Sequence, residues 1–382
     1  MSAGRIWPCE WRDYEDPRSG VHVRQLTDYR GHSNHPYFTN PGWYEGGRRL
    51  LLGSDRENRT NLFSIDLEAG EIVQLTDLEP QPRPHETQFL TTCVNPARDE
   101  AYFYHGRQLT AIDLVSLATR VLWEIPEGFR RSMINCAADG KHICAGVFED
   151  LSHRLRIDYG RGYVGFPETW QAHPESRIYK VAVDGAGADV VWEERCWIGH
   201  VNTSPTQPRL ITFCHEGPWI KVDNRIWGLD IDEGKPWKIR AREHPDERVG
   251  HEYWYADGVH LGYHGQRPDK TGFLGTIKYD NTERLEADFA SETGHIHSND
   301  RSLIVGDGGS VIRIWKWNGT GYDGPRILAE HRSSMHIQKV HAHPRFTPDG
   351  TKVLYTSDVS GYGNVYLAEV PDFESLPELD EE

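Results

Sequence analysis

"NLFSIDLEAGEIVQLTD", residues 61–77, alternates apolar and polar side chains, turns through Glu68-Ala69-Gly70, and alternates again. Period-two alternation on both sides of a glycine-bearing turn predicts a β-hairpin. The phrase recurs as "QLTAIDLVSLATRVLWE" (108–124), "RIYKVAVDGAGADVVWE" (177–193) and "RIWGLDIDEGKPWKI" (225–239). Looser copies are "GTIKYDNTERLEADF" (275–289) and "IRIWKWNGTGYDGPRILAE" (312–330). A second hairpin accompanies each, clearest in 38–55 and 346–358, with others at 94–104, 137–148, 204–217, 255–265 and 298–308. Seven units of about four strands predict an all-β chain, a seven-bladed β-propeller. A pair of β-sandwiches is the alternative, and the count of seven disfavours it.

The two ends supply a closure. The last unit stops at "GNVYLAEVPDF" (363–373), one strand short. An unpaired "VHVRQLTD" (21–28) near the start repeats the close of unit one. Residues 21–28 are expected to complete blade seven, which leaves no open edge. The whole of 1–382 then forms a single domain. Residues 150–176 interrupt unit three with a long, weakly periodic segment, read as a flap over one mouth of the channel.

Composition agrees with this fold class. Thirteen Trp, 17 Tyr and 37 Gly against three Met suit short strands and tight turns. No apolar run approaches the roughly 20 residues that span a bilayer, and the N-terminal segment has no apolar signal-peptide stretch. The expected location is cytoplasmic, away from membranes. Six scattered cysteines form no CxxC pair, so reduced and mostly buried thiols are expected. A formal charge of −16 argues against nucleic acid as a partner but permits an anionic small substrate at a locally positive site.

Histidines recur at one point of successive units. "HIQKVHAHPRF" (336–346) carries His341 and His343 two apart, with Gln338 three residues ahead. On a strand, residues i and i+2 point the same way, so both imidazoles are expected on the first strand of blade seven. "GHIHSNDRSLIVGDG" (294–308) supplies His295 and His297 to blade six, "GHEYWYADG" (250–258) supplies His251 to blade five, and "WIGHVNTSP" (197–205) supplies His200 to blade four. Two or three imidazoles with one amide oxygen could bind a divalent transition metal. A lone HxH is more often a hydrogen-bonded strand end, and the recurrence from blade to blade is what favours a site.

At these residues the chain resembles the oligogalacturonate lyases, cytoplasmic seven-bladed propellers that split short pectin fragments by β-elimination. The matching stretches are "FCHEGP" (213–218), "VDNRIW" (222–227), "HEYWYADG" (251–258), "HIHSNDRSLIVGDG" (295–308), "QKVHAHPRFTPDG" (338–350) and "LYTSD" (354–358). The resemblance implies that His295, Gln338, His341 and His343 hold manganese, that His251 is the base, and that Arg225 sits beside an anionic uronate oligosaccharide. Departures fall on loops. The family's excursion after "VGDG" is missing, the segment before Gln338 is compressed, and "GHVNTSP" replaces a more aromatic phrase.

The chemistry suits those residue types. β-Elimination removes the C5 proton next to a carboxylate, and a divalent cation can neutralise that carboxylate as a Lewis acid. A neutral histidine can take the proton near pH 7. Arg225 could hold a carboxylate through a two-pronged contact, or be a structural ion pair. His200 and His215 are either sugar contacts or hydrogen-bonded strand ends. His32 and His35 are candidates for the cleft wall, and His297 and His336 are expected to point away from the ligands. Competing functions are a non-catalytic propeller platform, a uronate lyase of different sugar specificity, and metal-dependent hydrolysis or epimerisation.

Overall fold

The computed structural model describes residues 2–81, 88–159, 162–289 and 293–379. Among these residues seven antiparallel sheets follow one another along the chain, which is the seven-bladed propeller arrangement. Helix among the described residues is confined to one short α segment, Phe166–Gln171, and four 3-10 turns. Among the described residues no helix is long and apolar enough to cross a membrane.

The chain forms two compact units. One comprises Met1–Leu90, Thr271–Leu274 and Glu286–Glu382; the other comprises Thr91–Lys270 and Gly275–Leu285. In the first unit the closure takes the expected form. Strand His22–Gln25 pairs antiparallel with Asn364–Glu369, Val23 opposite Ala368 and Gln25 opposite Tyr366. Two further N-terminal strands extend this scheme. Arg12–Glu15 pairs with His22–Gln25, giving blade seven a fifth strand, and Ile6–Trp7 pairs with Ile72–Gln74 of blade one. Neither was foreseen from the sequence, because "RDYE" is exposed along its length and carries no apolar alternation.

The cores lie between neighbouring sheets. Val305, Ile312, Ile314 and Leu328 of blade six pack with Val353, Tyr355, Tyr366 and Ala368 of blade seven. In the second unit, Ile178 and Cys144 of blade three pack with Ile198, Val201, Ile211 and Phe213 of blade four. Each Val, Leu, Ile or Phe among these contributes roughly 1.5–3 kcal/mol when fully buried. Four of the six cysteines are buried and all six are free thiols, as the composition predicted.

The first strands of blades three, four and five share one irregularity. Two residues on the first strand face one on its partner between Arg131 and Ile134, between Ile198 and Val201, and between Gly250 and Tyr253. An extra residue in a strand bends it locally and re-aims the side chains at that point. His200 lies inside the second of these bulges, and His251 and Glu252 inside the third.

Of the segment read from the sequence as a flap, the described residues 150–159 and 162–176 include three aromatic rings that contact Trp197 and Lys221. Tyr159 and Phe166 pack on Trp197 with ring centroids 5.0 and 4.9 Å away, and Lys221 lies over Trp170.

Candidate functional site

In the first unit, His295, His341 and His343 come together. All three are buried, and one ligand-capable nitrogen from each lies within 4.8 Å of the other two. Ring centroids are 4.3 Å apart for His295 and His343, 5.5 Å for His341 and His343, and 5.7 Å for His295 and His341.

The local route to this arrangement differs from the sequence expectation. His341 and His343 lie on no strand. His341 caps a 3-10 turn, Gln338–Val340, and the blade's first strand begins only at Arg345. Pro344 follows His343 and cannot donate to a ladder. His343 has φ +44°, a left-handed conformation uncommon for residues with a Cβ. The rings converge because of this irregular backbone, not through strand alternation. Gln338 opens the turn and is half-buried; its carbonyl accepts the His341 N–H at 3.3 Å.

Two groups brace the triad. The Asp307 carboxylate accepts the His295 backbone N–H at 2.7 Å and lies 2.7 Å from His295 Nδ1. This leaves Nε2 as the atom His295 can present to an ion. Gly294 is required at this approach, since a Cβ there would stand 2.7 Å from Asp307 Oδ1. His35 lies 3.0 Å from the His343 carbonyl through Nε2 and 2.7 Å from Thr356 Oγ1 through Nδ1. A carbonyl can only accept, so Nε2 carries the proton. His35 therefore fixes the His343 backbone and does not line a cleft wall, because it is fully buried. Tyr37 and Phe38 complete the surround, Tyr37 standing edge-on to His343 at 4.7 Å and Phe38 lying 5.5 Å from His295.

The donor set suits a divalent transition ion. His341 Nδ1 is buried and makes no hydrogen bond, a costly state for a ring nitrogen unless something else fills its lone pair. Burial, with His295 beside it, pushes the His341 pKa down to about 4 against the pull of Asp307. The ring is neutral near pH 7, as a metal ligand must be.

The remaining candidates sit in the second unit. His251 Nδ1 is 3.2 Å from Nε2 of the buried His264, and Trp219 stands perpendicular to both rings. His200 Nδ1 is 3.2 Å from Glu252 Oε1. Arg225 is buried and donates to Glu216 Oε1 at 2.7 Å and to the His215 carbonyl at 3.3 Å, with its Nε 3.7 Å from Glu252 Oε2. The guanidinium is thus committed to an internal ion-pair network and lies over Trp219 at 5.8 Å. His215 has a carboxylate at each nitrogen, Asp223 Oδ1 at 2.6 Å and Glu194 Oε1 at 3.0 Å. Burial alone would lower its pKa, but hydrogen bonds to Asp223, Cys196 and Glu194 push it up to about 11.

His200, Cys214 and Glu252 also present three ligand-type atoms close together. Arg225 already supplies positive charge beside Glu252, and burial raises the Cys214 thiol well above its ordinary pKa. This cluster reads as an ion-pair network. His336 is exposed, as expected, and His297 is buried and accepts the Phe346 N–H at 3.3 Å.

Fold and clusters together define a histidine-rich β-propeller. Residues 1–324 match the sequence model of the oligogalacturonate lyase family, and the chain belongs to that family and is a lyase. It is 27% identical to the oligogalacturonide lyase of Pectobacterium atrosepticum over 400 residues, covering 97% of this chain and 99% of that protein. Identity and coverage are the same for the oligogalacturonate lyase of Dickeya dadantii. Among solved structures, an oligogalacturonate lyase in complex with manganese superposes with TM-score 0.86 at 24% identity, covering 97% of this chain and 99% of the other. The oligogalacturonate lyase of Vibrio parahaemolyticus gives 0.85 at 22%, with the same coverage.

Asp307, Tyr37, Trp219, Glu252 and His264 were missed as site residues from the sequence, and His35 was read as cleft wall where it braces His343. Asp307 and Glu252 had a signal, each being an acid set among apolar strand residues, and both proved buried.

Proposed function

We propose that this lyase cleaves short oligogalacturonates by β-elimination, using a divalent cation held by His295, Gln338, His341 and His343. Manganese is the ion we assign, and the solved relative that carries it supports that choice. The observation that carries the proposal is the buried triad, with His295 oriented by Asp307 and His341 Nδ1 lacking any hydrogen-bond partner. A carboxylate on the far nitrogen of a ligating imidazole fixes its orientation and raises its basicity.

Bound there, a divalent cation supplies Lewis-acid neutralisation of the uronate carboxylate. His251 is the base. It removes the C5 proton, the C5–H electron pair becomes the C4–C5 double bond, and O4 leaves with its electron pair and takes a proton from solvent. Arg225 keeps Trp219 and Glu252 in place beside the proposed substrate, its charge offset by Glu216 and Glu252. His200, held by Glu252, is the proposed sugar contact. His215 contributes a positive charge there, although both its nitrogens are engaged by carboxylates. Six free thiols favour a reducing, cytoplasmic location.

The test is a screen of defined uronate oligomers with the manganese-loaded protein, scored by product mass. Galacturonate dimers and trimers should give an unsaturated product. Equal or better conversion of another uronate would transfer the assignment to that sugar. A product one water heavier than the elimination product would mean hydrolysis.

A further inference from the structure

The mechanism above uses His251 but leaves its ring partner, His264, without a role. The bulge between Gly250 and Tyr253 sets His251 and Glu252 against the single residue Tyr263, and His251 takes φ +48°. Gly250 lies directly opposite His264 on strand His260–Gln266. The register brings the two rings side by side, centroids 5.4 Å apart and planes within 9°, with His251 Nδ1 3.2 Å from His264 Nε2. Trp219 locks both, its ring 4.9 Å from His251 and 5.5 Å from His264. A Cβ at residue 250 would stand 2.6 Å from the Trp219 ring, so glycine is what lets Trp219 close on the pair.

Two neutral imidazoles joined by one hydrogen bond have only two proton arrangements. If His264 Nε2–H donates, His251 Nδ1 spends its lone pair as acceptor and Nε2 carries the ring's proton. Neither nitrogen of His251 is then a good base. If His251 Nδ1–H donates to the Nε2 lone pair of His264, His251 Nε2 keeps its own lone pair for a substrate proton. Proton uptake at Nε2 makes the Nδ1–H donor cationic, and a charge-assisted hydrogen bond is roughly twice as strong as a neutral one. The bond therefore strengthens as charge develops on His251.

We propose that His264 is a positioning residue for the elimination, a buried neutral acceptor that holds His251 in its Nδ1–H tautomer and aims Nε2 at the substrate. This rests on the assignment of His251 as the base. Around the pair stand His200, stacked 6.3 Å from His251, with Glu252 on His200 and Arg225 on Glu252. His264 supplies orientation without adding negative charge where an anionic uronate must approach.

The test compares His264→Leu with His264→Gln in the full, manganese-loaded chain, alongside His251→Ala. Leucine removes the acceptor, whereas the glutamine carbonyl can occupy the place of Nε2. His264→Leu should lower kcat by about 10- to 100-fold, part of what a general base contributes, with KM and metal content unchanged. His264→Gln should recover most of that loss. Long-range 15N–1H spectra of the wild-type chain should show His251 protonated at Nδ1, and those of His264→Leu a shift toward Nε2. Unchanged kcat in His264→Leu, equal losses in both variants, or a wild-type His251 protonated at Nε2 would overturn the proposal. Should the leucine variant fail to fold, the wild-type spectrum and the glutamine variant still decide. Retained turnover in His251→Ala would instead remove the base assignment, an outcome separable from every result at residue 264.

Discussion

Asp307 holds His295 at two points, its Oδ1 accepting the backbone N–H and its Oδ2 standing 2.7 Å from the ring Nδ1. One carboxylate thus fixes both the chain and the ring of a proposed ligand. Asp307→Asn keeps an acceptor for the backbone but loses the charge on the imidazole. It should weaken metal binding by about 10- to 100-fold, measured by calorimetric titration, with the fold intact by circular dichroism. Unchanged affinity would show that Asp307 serves packing alone.

His341→Ala should lose both bound metal and turnover. Elemental analysis of the purified variant checks this, and full metal content would break the ligand set. Gln338→Ala tests the amide in the same way and should lower affinity while leaving the three imidazoles in place.

Gly250→Ala should act through Trp219 rather than through the metal ligands. The added methyl meets the Trp219 ring at 2.6 Å, so Trp219 must shift and the His251–His264 pair loses its wall. Turnover should fall by at least about tenfold with metal content unchanged, because a small misplacement of a reacting group is costly. A fully active variant would show that Trp219 does not position the pair.

His215 predicts a pH signature in stability. Its folded pKa, about 11, lies above the unfolded value of about 6.5. Its contribution is full below pH 6.5 and is lost progressively as the pH rises through 11. The difference in Tm between wild type and His215→Gln should be largest near pH 6 and shrink steadily toward pH 11. A constant difference would mean that the imidazole is neutral between Asp223 and Glu194.

The sheets were legible because hairpins advertise themselves locally. Alternation around glycine turns fixed seven units, and the echo of "QLTD" found the partner of the last blade. The N-terminal strands left no such trace, since an exposed edge strand needs no apolar pattern. Recurrence singled out the histidines of blades four to seven, and the family resemblance chose His295, His341 and His343 among them, but their geometry was not legible. His341 and His343 reach their places through a 3-10 turn and a positive φ, and neither has a periodic signature. Arg225 shows the same limit. The sequence left contact and ion pair open, and burial beside Glu216 and Glu252 was decided by a network spread over three strands and loops. His264 was invisible because its partner is set by a one-residue bulge, which shifts register without altering composition.

The central claim is elimination on a uronate that depends on a divalent cation. Only elimination creates a double bond conjugated with the C5 carboxylate, and that chromophore absorbs in the ultraviolet. The deciding measurement follows ultraviolet absorbance as the protein acts on galacturonate trimer, first after chelator treatment and then with manganese restored. The absorbance should stay flat in the stripped protein and rise on re-addition in wild type, but not in His341→Ala. A trimer consumed without any rise, or a rise equally fast in the chelated protein, would contradict the account.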